Sequence, residues 1–253
     1  MKHQRLPMSV EEYRVLEQPF GWKVEYWDGQ AHFTPRGMGG KTAIDLRTVS
    51  LPQQINSQQH ILVPVDVTYA EQMMAGYFDA FINSVEFCDW PVQDFQRSAE
   101  RCINRYFEGK RGEPLPASVI ALNSDKGLVG LALFVVGKEQ RPHLDLLYVR
   151  SSFQRQGIAT AMLHHGISHL LKAKFQELSS SYHTCNHISR QWHHKLGFQD
   201  IYDWYYLRLK IGWLRNEIWR RKKLGMLTDL DELRREQEYY QAQLEEKESE
   251  QFR

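Results

Sequence analysis

The chain has 253 residues, 25% of them charged and 42% hydrophobic, with a formal net charge of +1. That length holds one catalytic-sized domain plus appendages, and the near-neutral balance offers no global argument for nucleic acid or an anionic membrane as a partner. Cys88, Cys102 and Cys185 show neither paired nor metal-like spacing, the N-terminus has no apolar stretch, and the longest greasy run is too short to span a bilayer, so the expectation is a soluble cytoplasmic protein without a metal.

In chain order, Val10 to Leu16 reads as a short helix and Trp22 to Phe33 as a hairpin turning at Asp28-Gly29. Ala43 to Leu51 is a candidate strand before a polar linker, Pro52 to His60. Residues 1–58 thus form an N-terminal segment expected to pack against the main domain. Ile61 to Val67 is a strand, Ala70 to Ser84 and Val92 to Gly109 are amphipathic helices, and Ala117 to Leu122 and Leu128 to Val136 are adjacent strands. Leu144 to Val149 is the next strand, followed by a polar loop and a helix from about Gln156 to Lys172. Glu177 to His183 is a strand, Ile188 to Leu196 a helix, and Phe198 to Leu209 the closing strand or strands. Beyond residue 211 a basic helix, Trp213 to Leu224, precedes an acidic one that reaches Glu250. The acidic stretch has barely two heptads of seam, so a solvated tail resting on the body is expected rather than a coiled coil.

The most informative stretch runs from Tyr148 to Thr160, where a strand passes through a polar loop into a helix with Gly157 at its start. Such a turn leaves backbone N–H groups unpaired at the positive end of the helix dipole, which suits a phosphate. The loop alone is equally compatible with an ordinary strand-turn-helix in which the glycine serves only the turn. It lacks a Gly-Lys-Ser/Thr ending and has a single glycine, so it is neither a P-loop nor a dinucleotide fingerprint.

Downstream, residues 186–198 read Asn-His-Ile-Ser-Arg-Gln-Trp-His-His-Lys-Leu-Gly-Phe. Gln154-x-x-Gly157-x-Ala159, followed by Asn186, Ser189, Trp192, Lys195, Gly197 and Phe198, resembles the two motifs of the GNAT superfamily of acetyl-CoA-dependent N-acyltransferases, in the family's order and separation. The resemblance covers roughly residues 60–210, and the domain it implies is 59–210. It implies an α/β (α+β) fold with a mixed, mostly antiparallel central sheet flanked by helices. The N-terminal hairpin segment and a helical extension, residues 211–253, are added to that domain.

The resemblance also implies a site. Acetyl-CoA, as cosubstrate, would place its pyrophosphate on the amides of Arg155, Gln156, Gly157, Ile158, Ala159 and Thr160, with Gln154 in the motif. Its pantetheine arm would extend along Leu147, Tyr148 and Val149, near Asn186. Because side chains alternate along a strand, His143, Asp145 and Leu147 are expected on one face. There His143 would accept the amine's proton, and Asp145 would orient it, raise its basicity or hold a substrate ammonium, as the resemblance suggests. The family's tyrosine acid is absent, and His193 stands in its place as the expected proton donor, with Tyr148 and Tyr182 as fallbacks. Glu86, Asp89 and Trp90 in the loop between the first two helices of the domain would receive a cationic, partly apolar amine. The expected activity is acetyl transfer to a primary amine of a small molecule or of a protein N-terminus or lysine. Nucleic acid and membrane are not expected partners, and a homodimer is compatible with the reading. A non-catalytic acetyl-CoA-binding module acting in regulation or assembly is the alternative.

Overall fold

All nine residues of Leu128–Val136 are apolar or glycine, with eight of the nine positions buried, the mark of a strand covered on both faces. In the computed structural model, which describes residues 4–51, 60–88, 90–137 and 140–251, this strand lies inside an eight-stranded sheet. The elements are β1 (Gln4–Pro7), α1 (Val10–Val15), β2 (Trp22–Trp27), β3 (Gln30–Pro35), β4 (Gly39–Asp45), β5 (Ile61–Pro64), α2 (Ala70–Phe81) and α3 (Val92–Phe107). They continue with β6 (Glu113–Pro114), β7 (Val119–Leu122), β8 (Leu128–Val136), β9 (Pro142–Val149), α4 (Ile158–Lys172), β10 (Glu177–His183), α5 (His187–Lys195), β11 (Gln199–Ile201), α6 (Trp204–Lys223) and α7 (Leu230–Gln251).

The large sheet runs β11-β4-β10-β9-β8-β7-β5, with β6 paired to β8 off this path. Its pairs are antiparallel except β9 with β10. Two apolar layers cover it. Ile158, Met162, Leu163 and Ile167 of α4 pack with Phe134 and Leu144 on one face. Met73 and Tyr77 of α2 and Phe95 and Ile103 of α3 pack with Leu131 and Tyr148 on the other. This is the expected mixed, mostly antiparallel α/β architecture, and from β5 to β11 the elements follow the expected succession apart from the two-residue β6, which was not expected.

The N-terminal hairpin forms at Asp28-Gly29, where both residues have positive φ (51° and 68°), the conformation that a two-residue turn matching strand twist requires. β2 and β3 pair in register from Trp22↔Pro35 to Trp27↔Gln30, and β1 joins β3 to make a separate three-stranded sheet. The next strand departs from expectation. It is Gly39–Asp45, not Ala43 to Leu51, and it lies inside the large sheet between β10 and β11. Gly39 and Gly40 read locally as breakers. Gly40 instead lets the Tyr182 ring lie against the strand, since a Cβ there would come within 2.7 Å of that ring. The Asp45 carboxylate then accepts from Arg47 N–H at 2.9 Å and turns the chain out of the sheet.

At the other end, the closing strand is only Gln199–Ile201, and α6 begins at Trp204 instead of near residue 213. The Asp203 carboxylate accepts from Tyr206 N–H at 2.8 Å and caps that helix. Leu207, Ile211, Leu214 and Ile218, spaced three and four apart, are its buried stripe. α6 and α7 pack as a helical hairpin around Leu207, Ile211, Leu214, Tyr240 and Leu244. The basic helix does meet the acidic one, through Arg208–Glu248 at 3.1 Å and Lys210–Glu236 at 2.9 Å. α6 is also tied to the N-terminal segment, because Trp213 Nε1 donates to Gln18 O at 2.9 Å.

Candidate active site

The site begins with a defect in β9. Its pairing with β8 slips between Leu133 and Phe134, so that Leu146 faces Leu133, Leu144 faces Phe134, and Asp145 is the extra residue. A bulge bends a strand and breaks its alternation. Leu144 and Leu147, three apart, therefore pack on the α4 side, while Leu146 and Tyr148 pack on the α2 and α3 side. The expected shared face of His143, Asp145 and Leu147 is corrected accordingly, with Leu147 on the opposite side.

Beyond the bulge β9 and β10 part company. They pair only at Ser179↔His143 and Ser180↔Leu144, whereas β10 pairs with β4 along all seven of its residues. The result is a cleft of about 1670 Å³ between the two strands. Leu147, Tyr148 and Val149 line it, and with β8 on their other side they present a backbone edge to it.

α4 starts at the mouth of this cleft. Gly157 is its N-cap at φ 79°, with no side-chain cap, and Arg155 also has positive φ (64°). The first amide bonded back into the helix start is that of Ala161, to Gly157 O at 2.9 Å. The N–H groups of Ile158, Ala159 and Thr160 precede it and have no intrahelical acceptor. Gln154, Arg155, Gly157, Ile158, Ala159 and Thr160 line the cleft, and Gln156 does not. A Cβ on Gly157 would meet nothing within 4 Å, so the space over the turn is open. Free amides, an open strand edge and Asn186 in the same cleft fit a pyrophosphate on an extended arm.

Asn186 caps α5, its Oδ1 accepting from Ser189 N–H at 2.9 Å. Its Nδ2 donates to Glu86 Oε1 at 2.6 Å. Glu86 lies in the single turn between α2 and α3, and its second oxygen, Oε2, is buried without a hydrogen-bond partner. An unsatisfied buried carboxylate oxygen is costly, and Glu86 is one of the residues that line the cleft. Trp90 does not line it; it is 48% exposed and packs edge-on against Phe87. Asp89 lies outside the described residues.

The expected proton carriers are placed differently from expectation. His143 is off the cleft, with Nδ1 2.9 Å from Ser179 Oγ, and burial holds its pKa below the ordinary value. Asp145 lines the cleft, but Arg111 grips both its oxygens, Nε to Oδ2 at 2.5 Å and Nη2 to Oδ1 at 2.9 Å, so it does not orient His143. His193 touches the cleft yet is only 3% exposed. Its Nδ1 lies 2.8 Å from Ser189 O and its Nε2 2.9 Å from Ser180 Oγ. A carbonyl can only accept, so Nδ1 carries the proton and Nε2 takes the serine's. Burial lowers the pKa of His193, which opposes the histidinium that an acid needs. The fallback tyrosines are engaged too, Tyr148 OH to Met73 O at 2.7 Å and Tyr182 OH to Asp200 Oδ1 at 2.5 Å.

Sequence reasoning missed Arg111 and His183. His183 lines the cleft, accepts Cys185 N–H on Nδ1 at 3.1 Å, and has its pKa lowered by burial, with Glu86 opposing that shift. Its place at the cleft end of β10, three residues before Asn186, was the available signal. It missed as well that Trp22, Phe33 and Met38 of the N-terminal segment wall the cleft. Burial pushes the Cys185 thiol up to about 11, so it is no nucleophile at neutral pH. Among the described residues no group of His, Cys, Asp or Glu could hold a metal ion, and no helix is long and apolar enough to cross a membrane.

Residues 84–198 match the model of the Acetyltransferase (GNAT) family. Residues 84–198 are thus a GNAT acetyltransferase domain. The matched span holds Glu86, the bulged strand, the Gly157 turn and Asn186. No curated protein matches the chain by sequence. Among solved structures, a GCN5-related N-acetyltransferase from Sphaerobacter thermophilus is 16% identical, over 64% of this chain and 48% of that one, with a TM-score of 0.45. The ribosomal-protein-S18-alanine N-acetyltransferase from Escherichia coli is 18% identical, over 56% of this chain and 79% of that one, with a TM-score of 0.42. The chain thus spans about half the length of the Sphaerobacter protein.

Proposed function

We propose that this GNAT protein is an acetyl-CoA-dependent N-acetyltransferase acting on a primary amine. The observation that carries the reading is the uncapped start of α4 at Gly157, opening into the same cleft as the free edge of β9 and the Glu86–Asn186 pair. The amides of Gly157 to Thr160 would hold the pyrophosphate, with Arg155 adding charge neutralisation. The edge of Leu147, Tyr148 and Val149 would pair with the pantetheine arm, and Asn186 would sit near its thioester. Acetyl-CoA supplies an acyl group already activated as a thioester.

Glu86 then takes the part that the sequence assigned to His143. Its carboxylate, whose Oε2 is buried without a partner, turns toward the cleft to receive the incoming ammonium and accept its proton, directly or through water, while Asn186 holds the other oxygen. The freed amine nitrogen bonds to the acyl carbon, the carbon–sulfur bond breaks, the nitrogen releases its second proton to solvent as the amide forms, and the thiolate takes a proton from solvent in the open cleft. His183 offers a hydrogen-bond donor in the same wall.

Calorimetric titration with acetyl-CoA and a thiol-release assay over a panel of amines test this together. Binding with turnover is expected. Glu86→Gln should lower kcat by roughly a hundredfold to ten-thousandfold with acetyl-CoA affinity retained, since glutamine keeps the acceptor for Asn186. Failure to bind acetyl-CoA overturns the reading. Binding without turnover on any acceptor favours the non-catalytic module.

A further inference from the structure

The far end of the cleft bears on the identity of the acceptor, a question that arises only if the cleft performs acetyl transfer as proposed. From Glu86 the cleft wall passes Tyr77 on α2, then Ser98, Arg101, Cys102 and Arg105 on α3, to Arg111. Tyr77 stands between the two ends. The pKa of its hydroxyl is pushed up to about 12 by burial, and it lies within electrostatic reach of both Arg111 and Glu86. The Cys102 thiol, raised by burial, is in turn within reach of Arg111, Asp145 and Arg105. One chamber therefore has a carboxylate at the Asn186 end and guanidinium groups at the other.

Their charges are not balanced alike. Arg111 is neutralised by its two-pronged contact with Asp145. Arg101 and Arg105 have no carboxylate within ion-pair distance among the described residues, and the nearby Glu108 is taken by Lys110 at 2.9 Å. Arg105 makes only a long contact, 3.5 Å to Lys110 O. A polyamine entering amine-first at Glu86 would carry its second positive charge toward these arginines, which is repulsive. An anion there meets two planar forks that match carboxylate and phosphate oxygens.

We propose that the acceptor is a small primary amine bearing an anionic group, a carboxylate or a phosphate, distal to the nitrogen. Glu86 receives the amine, and Arg101 and Arg105 receive the anion. This replaces the cationic acceptor expected from the loop sequence.

The test compares ω-amino carboxylates, ω-aminoalkyl phosphates, plain alkylamines and diamines of matched chain length, by thiol release and by calorimetry on the CoA-loaded protein. The anionic amines should show kcat/KM about tenfold to a hundredfold above the neutral ones, and the better of the two anionic series identifies the anion. In Arg101→Gln/Arg105→Gln this preference should collapse toward unity, through KM rather than kcat. Both arginines are exposed, so the variant should fold, and its melting temperature checks that. Equal or faster turnover of neutral amines or diamines overturns the proposal, as does a preference that survives the double variant. If no amine turns over although acetyl-CoA binds, the enzymatic reading fails. Calorimetric affinity for the anionic amines, lost in the double variant, then still decides the anion site.

Discussion

Three residues away from Asn186 along the first turn of α5, Ser189 gives its carbonyl to the ring of His193, and Ser180 closes the other side. The ring is enclosed by Tyr182, Trp192 and Phe198. In the sequence His193 stands where a proton donor belongs, and its residue type suits that chemistry. Its surroundings make it a neutral pin between α5 and β10. His193→Phe should therefore act on stability, removing two buried side-chain hydrogen bonds, to Ser180 Oγ and the Ser189 carbonyl, at a cost of about 1–3 kcal/mol. Thermal melting checks this, and a normal melt with abolished turnover would restore His193 to the mechanism. Glu86 shows the converse. Its loop position was legible only as a candidate acceptor contact, and the bond to Asn186, 100 residues further along the chain, has no local signature.

Among the elements, the start of α4 was the most legible, because the need is local. A chain that must turn from a strand into a helix without a side-chain cap uses glycine at φ 79°, where other residues are strained. Gly157→Ala should cost about 1 kcal/mol in stability. It should also weaken acetyl-CoA binding about tenfold, since the added methyl would occupy the open space above the amides. Calorimetry and a thermal melt separate the two effects, and unchanged affinity would remove the turn from the coenzyme site. The bulge in β9 was not legible, because Leu144-Asp145-Leu146-Leu147 fits an alternating strand as well as a bulged one. Only pairing with β8, and a guanidinium from Arg111 to receive the displaced carboxylate, selects the second. β4 was mislocated for a related reason. A glycine pair reads as a break until an aromatic ring from another strand is known to lie on it.

At the scale of the molecule, five histidines, His143, His164, His165, His183 and His193, have pKa values held down by burial. Each binds fewer protons folded than unfolded, so stability rises with pH across their titration. Their contribution is complete above the ordinary histidine value of 6.5 and is lost as pH falls below it. The melting temperature should drop by several degrees between about pH 7.5 and about pH 5.5. A flat profile over that window would mean that these rings are solvated. Ion pairs on depressed carboxylates such as Asp200 fail only at lower pH and do not confuse the result.

The amino-acid sequence alone determined the succession of elements from β5 to α5 apart from β6, the helix start at Gly157 and the Asn186 motif. These rest on periodicity, turn chemistry and short spacings, all of which act within a few residues. Tertiary structure alone decided that β4 closes the sheet between β10 and β11 and that Asp145 belongs to Arg111. It also decided that His193 is buried and that Glu86 converges on Asn186 in a cleft partly walled by the N-terminal segment. Each of these is a pairing of groups distant in the chain, or a burial that such pairings create. Hydrogen bonding and charge select those partners only once packing has brought them together.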